Sequence, residues 1–221
     1  MTLIIALKIK DEIIMSADSR LTKVPVIDNA DDKRKTIIED NVQKIWNLSN
    51  KIGISNCGSW PVTEYKDGHF SKKVSDFISC FEKECDGLNI DALAKLFAQQ
   101  VYADKKHIDT SFIISGFNSD ISRIYNIWYN KVSDEPNADL VDEWIWFNGN
   151  YRYAGILSNR FLEENDLTPR TLSEVNAVRL IKYVIEESEN MLHQNEENEN
   201  IGGPIDILRV KKDGCSWIQH K

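Results

Sequence analysis

Residues 2–20, TLIIALKIKDEIIMSADSR, carry two apolar, β-branched runs, Leu3 to Lys10 and Glu12 to Asp18, that meet at Lys10-Asp11. Short runs of this composition broken by a polar pair read as a tight antiparallel hairpin. The chain therefore opens with paired strands, and a threonine stands directly before the first of them. A second hairpin is expected further on, with Val42 to Leu48 and Lys51 to Asn56 around Ser49-Asn50, closed by Cys57-Gly58-Ser59-Trp60-Pro61. Pro61 suits a first helical turn. Between the two hairpins, Thr22 to Asn41 loses the strand pattern and holds the charged run Asp31 to Lys35, which reads as a solvated loop or short lid.

Past the second hairpin the period changes. Tyr65, Phe70, Val74, Phe77, Ile78 and Phe81 recur at helical spacing between Thr63 and Cys85, and Leu93, Leu96, Phe97 and Val101 repeat the signal from Asp91 to Tyr102. Strands return at Ser111 to Gly116 and Ile121 to Trp128, with a short one at Glu143 to Phe147 and a loop, Asn130 to Asp139, between. Two further helices are expected over Tyr151 to Glu164 and Leu172 to Met191. The second is preceded by the capping-box pattern Thr171-Leu-Ser-Glu174 and has Val175, Val178, Ile181, Val184 and Ile185 on its apolar side. Pro204 to Val210 and Cys215 to Gln219 flank Asp213-Gly214, a hairpin turn signal. The order strands, helices, strands, helices, strands, with no linker or repeat, predicts one α+β domain over residues 1–221. Two antiparallel sheets face to face with helices outside would satisfy it, as would helices on one sheet face only.

Composition narrows the function. The chain has 221 residues and a formal net charge of -8, with its basic residues scattered, so nucleic acid is not an expected partner. Charged residues interrupt every hydrophobic run well before the roughly 20 apolar residues that cross a bilayer, so no membrane association is expected. The start lacks the pattern of a signal peptide. Cys57, Cys80, Cys85 and Cys215 form no CxxC pair or disulfide framework, which fits the cytoplasm, and His69, His107, His193 and His220 are too scattered to predict a metal site.

The segments TLIIALKIKDEIIMSADSR, KIWNLSNKIGISNCGSW, SFIISGFNSDISRIYNIWYNK, YAGIL and IGGPIDILRVKKDG occur in the order and spacing of a proteasome β subunit. The chain resembles that family over nearly its whole length, and similar segments occur in the peptidase subunit of bacterial two-component proteases. The resemblance implies the four-layer αββα sandwich of N-terminal-nucleophile hydrolases, stacked homo-oligomeric rings, no cofactor, and peptide or unfolded-protein substrates. An ATP-driven unfoldase is a partner such a ring could have.

By the same resemblance Thr2, freed by removal of Met1, is the nucleophile of a threonine peptidase. A threonine hydroxyl must give its proton to a base, and an α-amine with a reference pKa of about 7.7 to 8.0 is partly neutral near pH 7. Lys44 and Asp18 match the lysine and aspartate that support the proton transfer, Gly58 the oxyanion position, and Arg20 a brace. Asn148 stands where active members carry a serine, and Asn198 where they carry an aspartate, with Ile201 in place of a nearby serine. Leu21, Thr22, Val42, Trp46, Asn56 and Trp60 correspond to substrate-facing positions, with a core-anchor role the alternative for Trp46 and Trp60. These departures keep two alternatives open: an inactive structural or binding subunit, and a small-molecule amidase on the same fold.

Overall fold

The computed structural model describes residues 2–23, 36–58, 71–84, 87–103, 109–194 and 201–220. The opening hairpin forms as expected, with β1 (Leu3–Ile9) and β2 (Glu12–Asp18) paired antiparallel from Ile4–Ala17 to Ile9–Glu12. Two short strands follow, β3 (Leu21–Lys23) and β4 (Thr36–Glu39), which pair with each other. They occupy the ends of the segment expected to be a loop or lid; its centre lies outside the described residues. The pairing was hidden because each strand is only three or four residues long, too short to show a period.

Strands β5 (Ile45–Leu48), β6 (Ile52–Gly58), β7 (Thr110–Asn118), β8 (Ile121–Asn130) and β9 (Glu135–Leu140) form one antiparallel sheet in that order. A second sheet runs β10-β1-β2-β11-β12, where β10 is Ile145–Gly149, β11 Ile205–Lys211 and β12 Gly214–Gln219. Strand β9 corrects the expected loop at 130–139. Its composition, Glu-Pro-Asn-Ala-Asp-Leu, resembles a turn, but β9 is an edge strand, where a proline costs no ladder bond on the solvent side. The turn itself is shorter and sits at 131–134, where Asp134 takes a positive φ of 58° and accepts a bond from the Tyr129 hydroxyl.

Four helices complete the described chain: α1 (Ser71–Glu84), α2 (Ile90–Val101), α3 (Ala154–Glu164) and α4 (Glu174–Gln194). The Asn89 side chain caps α2 by accepting from the Ala92 N–H at 2.9 Å. The capping box expected at Thr171-x-x-Glu174 lies three residues earlier in the chain: Thr168 and Thr171 make it around a short 3-10 turn, while Ser173 caps α4 and Glu174 forms an ion pair with Arg209 at 2.9 Å. Val175, placed on the apolar side by periodicity, is 68% exposed, because α4 turns its buried stripe through Ala177, Leu180, Ile181, Val184 and Ile185. The helix expected from Thr63 is described only from Ser71, and Pro61 lies outside the described residues.

Alternation along the strands sorts the apolar side chains into three clusters. Leu3, Ile5, Leu7 and Ile14 pack with Leu157, Phe161, Leu180, Ile181 and Val184 of α3 and α4. Trp46, Ile54, Phe112, Ile114 and Ile127 pack with Val74, Phe81, Leu93 and Phe97 of α1 and α2. Between them Ile4, Ala6, Met15, Ala17, Leu208 and Val210 of one sheet meet Ile45, Cys57, Ile113 and Ile124 of the other. The period of two in β1 and β2 produces this division, since odd and even residues leave opposite faces. Among the described residues, no helix is long and apolar enough to cross a membrane.

Candidate active site

The first residue before β1 and the last residue of β2 lie side by side because the hairpin places Ile4 opposite Ala17. That register brings Thr2 to Asp18. The Asp18 carboxylate is fully buried and accepts the Leu3 N–H at 2.8 Å through Oδ1, and the Arg20 N–H at 3.2 Å and Gly202 N–H at 3.1 Å through Oδ2. Those donors come from three separate segments, so the carboxylate acts as a fixed post on which the site is hung.

Lys44 enters from the residue before β5. Its Nζ lies 2.5 Å from Thr2 Oγ1, 3.3 Å from Asp18 Oδ2 and 2.6 Å from the Arg20 carbonyl oxygen. Three acceptors match the three N–H directions of an ammonium, which has no lone pair to accept a proton. An ammonium so placed can donate to Thr2 Oγ1 and cannot take its proton. The backbone holds Lys44 from the neighbouring strand, since the Asn56 N–H donates to the Lys44 carbonyl at 3.1 Å. Thr2, Asp18 and Lys44 are 6%, 0% and 5% exposed, so the ion pair works away from bulk water, where charge interactions are strongest.

Burial pushes the Asp18 carboxyl above its ordinary range, and the Lys44 charge with the Leu3 and Gly202 N–H bonds pulls it back. Cys57, the other nucleophile near this end of the sheets, is buried and its thiol is pushed up to about 12 by desolvation, against the pull of Lys44. A thiol so high is not a thiolate at neutral pH.

Gly58 ends β6 with φ +98°, and a Cβ there would come within 2.2 Å of the Asp109 carbonyl oxygen. Both the conformation and the space demand glycine. Asn148, which stands where active members of the resembled family carry a serine, has its amide engaged: its Oδ1 accepts the Gly149 N–H at 2.8 Å and its Nδ2 donates to Asn126 Oδ1 at 2.9 Å. Trp46 is corrected from a substrate-facing position to a core residue, packed beneath α1 and α2, because its strand alternates Ile45 toward the other sheet and Trp46 toward the helices. Val42 is buried, with its N–H bonded to the Ser19 carbonyl at 3.0 Å, and Leu21 is half-buried opposite Glu39. Thr22 lies on β3 beside Leu21. Trp60 and Asn198 lie outside the described residues; Ile201 is buried against the α4 cluster and its carbonyl accepts from Arg20 Nη1 at 3.0 Å. Arg20 also pairs with Asp40 at 2.7 Å and Glu189 at 3.0 Å.

No family model matches the chain, and no curated protein matches it significantly. The site therefore stands on its geometry. Sequence reasoning missed Gly149, Gly202 and Asn126 as contributors. Gly149 pairs with Leu3 at φ +88°, and a Cβ there would fall 1.8 Å from the Thr2 carbonyl oxygen. The Asn150 N–H donates to that same oxygen at 2.8 Å. The Asn148-Gly149 and Gly202-Gly203 dipeptides were the available signals, since glycine marks close backbone approach. Among the described residues no group of three or more His, Cys, Asp or Glu side chains could hold a metal ion.

Proposed function

We propose that the protein is a threonine peptidase in which Thr2, freed by removal of Met1, attacks a peptide carbonyl within a self-compartmentalising ring. The observation that carries this reading is the buried contact of Lys44 Nζ with Thr2 Oγ1 at 2.5 Å and with Asp18 Oδ2 at 3.3 Å. A hydroxyl held against an ammonium that a buried carboxylate supports is an arrangement that lowers the cost of forming an alkoxide. A structural lysine would gain more by pairing at the surface, because burying an ion pair costs several kcal/mol per ion in desolvation.

In this mechanism the freed α-amine of Thr2 takes the proton from Oγ1 as the C–O bond to the substrate carbonyl forms. Lys44 stabilises the developing charge on Oγ1, and Gly58 offers its N–H to the carbonyl oxygen. The amine then returns the proton to the leaving nitrogen as the C–N bond breaks, and water hydrolyses the ester. The two sheets, with a helix pair against the outer face of each, support the αββα layering of N-terminal-nucleophile hydrolases. The resemblance adds the ring and its peptide substrates, and the absence of a CxxC pair or disulfide framework in the sequence fits a cytoplasmic setting.

Intact mass before and after treatment with a β-lactone tests the reading. The expected result is a chain lighter by the Met1 residue that gains one lactone, with no gain in Thr2→Ala. A chain that keeps Met1, or one that takes up no lactone, would turn the assignment to a non-enzymatic subunit. Size-exclusion chromatography with light scattering checks the ring separately.

A further inference from the structure

The polar bond between Asn148 and Asn126 lies among apolar side chains and joins the two large sheets. Asn148 belongs to β10, next to the strand that follows Thr2, and Asn126 to β8. Their neighbours at the same parity, Trp146 and Ile124, face the inter-sheet cluster. Amide orientation is normally ambiguous, since oxygen and nitrogen look alike. Here it is fixed by a backbone donor: the atom 2.8 Å from the Gly149 N–H must be oxygen, so Asn148 Nδ2 must face Asn126, whose oxygen accepts at 2.9 Å. The relay then continues through covalent structure. Gly149 pairs with Leu3, its α-carbon lies tight against the Thr2 carbonyl, and Asn150 donates to that carbonyl.

We propose that Asn126 is a positioning residue for Thr2, holding the Gly149–Thr2 junction through Asn148 and so fixing the nucleophile's sheet against the sheet that carries Lys44 and Gly58. The proposal rests on the reading of Thr2 as nucleophile, and it adds a requirement to it. Thr2 stands on one sheet, whereas Lys44 and Gly58 stand on the other, so the distance between sheets sets the reacting geometry. Apolar packing resists separation but is tolerant of sliding, whereas a hydrogen bond of defined direction is not. Asn126 serves only as acceptor in this bond. Asp can replace it in that role; Leu has similar volume and no acceptor.

The test compares wild type, Asn126→Asp and Asn126→Leu in two measurements. The first is the rate of β-lactone adduct formation at saturation, with the half-saturating lactone concentration determined alongside. The second is hydrogen exchange of the peptide containing residues 145–150, which needs no activity. Asn126→Leu is expected to slow the saturated rate by about 10-fold to 100-fold, since a misplacement near 1 Å has that effect, with little change in half-saturation. It should also expose the Gly149 N–H to faster exchange, and Asn126→Asp should restore both. Unchanged exchange in Asn126→Leu overturns the proposal, as does faster exchange with an unchanged rate. If wild type takes up no lactone, the reading of Thr2 fails on its own account, and exchange alone decides whether Asn126 holds the junction. Loss of both properties in Asn126→Asp as well would also overturn it, because the acceptor would then not be what matters.

Discussion

Lys44 separates the chemical and the structural demands made on this site. Lys44→Met keeps the stem and removes the ammonium, leaving Asp18 buried with its three backbone donors and no cation. Removing one member of a buried ion pair costs about 3–5 kcal/mol, and the backbone donors should hold this case to the lower end. Urea unfolding is expected to show that loss, and adduct formation is expected to fall by at least about 100-fold. Adding Asp18→Asn should return part of the stability and none of the reactivity. At Gly149, alanine would place a methyl group 1.8 Å from the Thr2 carbonyl oxygen in a left-handed conformation, so Gly149→Ala should both unfold more readily and lose the adduct. The meeting of Thr2, Asp18 and Lys44 was legible because they lie at or next to strand ends, where a resemblance in order fixes position closely. The use of Asn148 could not, since an amide that accepts from its own neighbour's N–H reads the same in sequence as one aimed at a substrate.

At the scale of elements, the helices and long strands were legible and the short, polar ones were not. Strand β9 shows the reason. Its pairing is decided by the length of β8, whose residues Tyr125 to Asn130 supply the partners from Leu140 to Glu135, and nothing within Glu-Pro-Asn-Ala-Asp-Leu announces them. Tertiary context of that kind overrides local propensity. Trp46 is a related case: the resemblance matches it to a substrate-facing position, yet the alternation of β5 assigns it to the helix side. Helix α2 depends on a cap that sequence does display, and Asn89→Ala is expected to lower stability by about 1 kcal/mol in urea unfolding. The Phe97 ring stacks edge-on against Phe77, Phe81 and Phe112, at 5.4, 5.0 and 5.0 Å between centroids. Phe97→Ala should therefore cost about 3–5 kcal/mol, near the top of the range for core truncations.

Across the whole molecule, burial also sets how stability responds to alkali. The Cys57 and Cys215 thiols are pushed up to about 12 by desolvation, whereas in the unfolded chain they ionise near about 8.5. As pH rises through that interval the unfolded state loses its protons first, so the stability contributed by the neutral folded thiols declines and is gone once pH passes the folded value. For Cys57 the slope is about 1.4 kcal/mol per pH unit. Urea midpoints between pH 8 and pH 11 should fall for wild type and fall less steeply for Cys57→Ala. Cys80, exposed on α1, is expected to take up a thiol reagent in the native protein before Cys57 or Cys215.

Asp18 gathers donors from Leu3, Arg20 and Gly202, the last 184 residues away along the chain. A growing polypeptide makes Thr2, Asp18 and Lys44 early and must wait for almost everything else before the final donor arrives. Until then the carboxylate lacks one of the bonds that keep it in place beneath Lys44. The same arrangement that ties the site together thus delays its completion, and a prematurely terminated product that stops short of Gly202 carries Thr2, Asp18 and Lys44 without the last donor that fixes them.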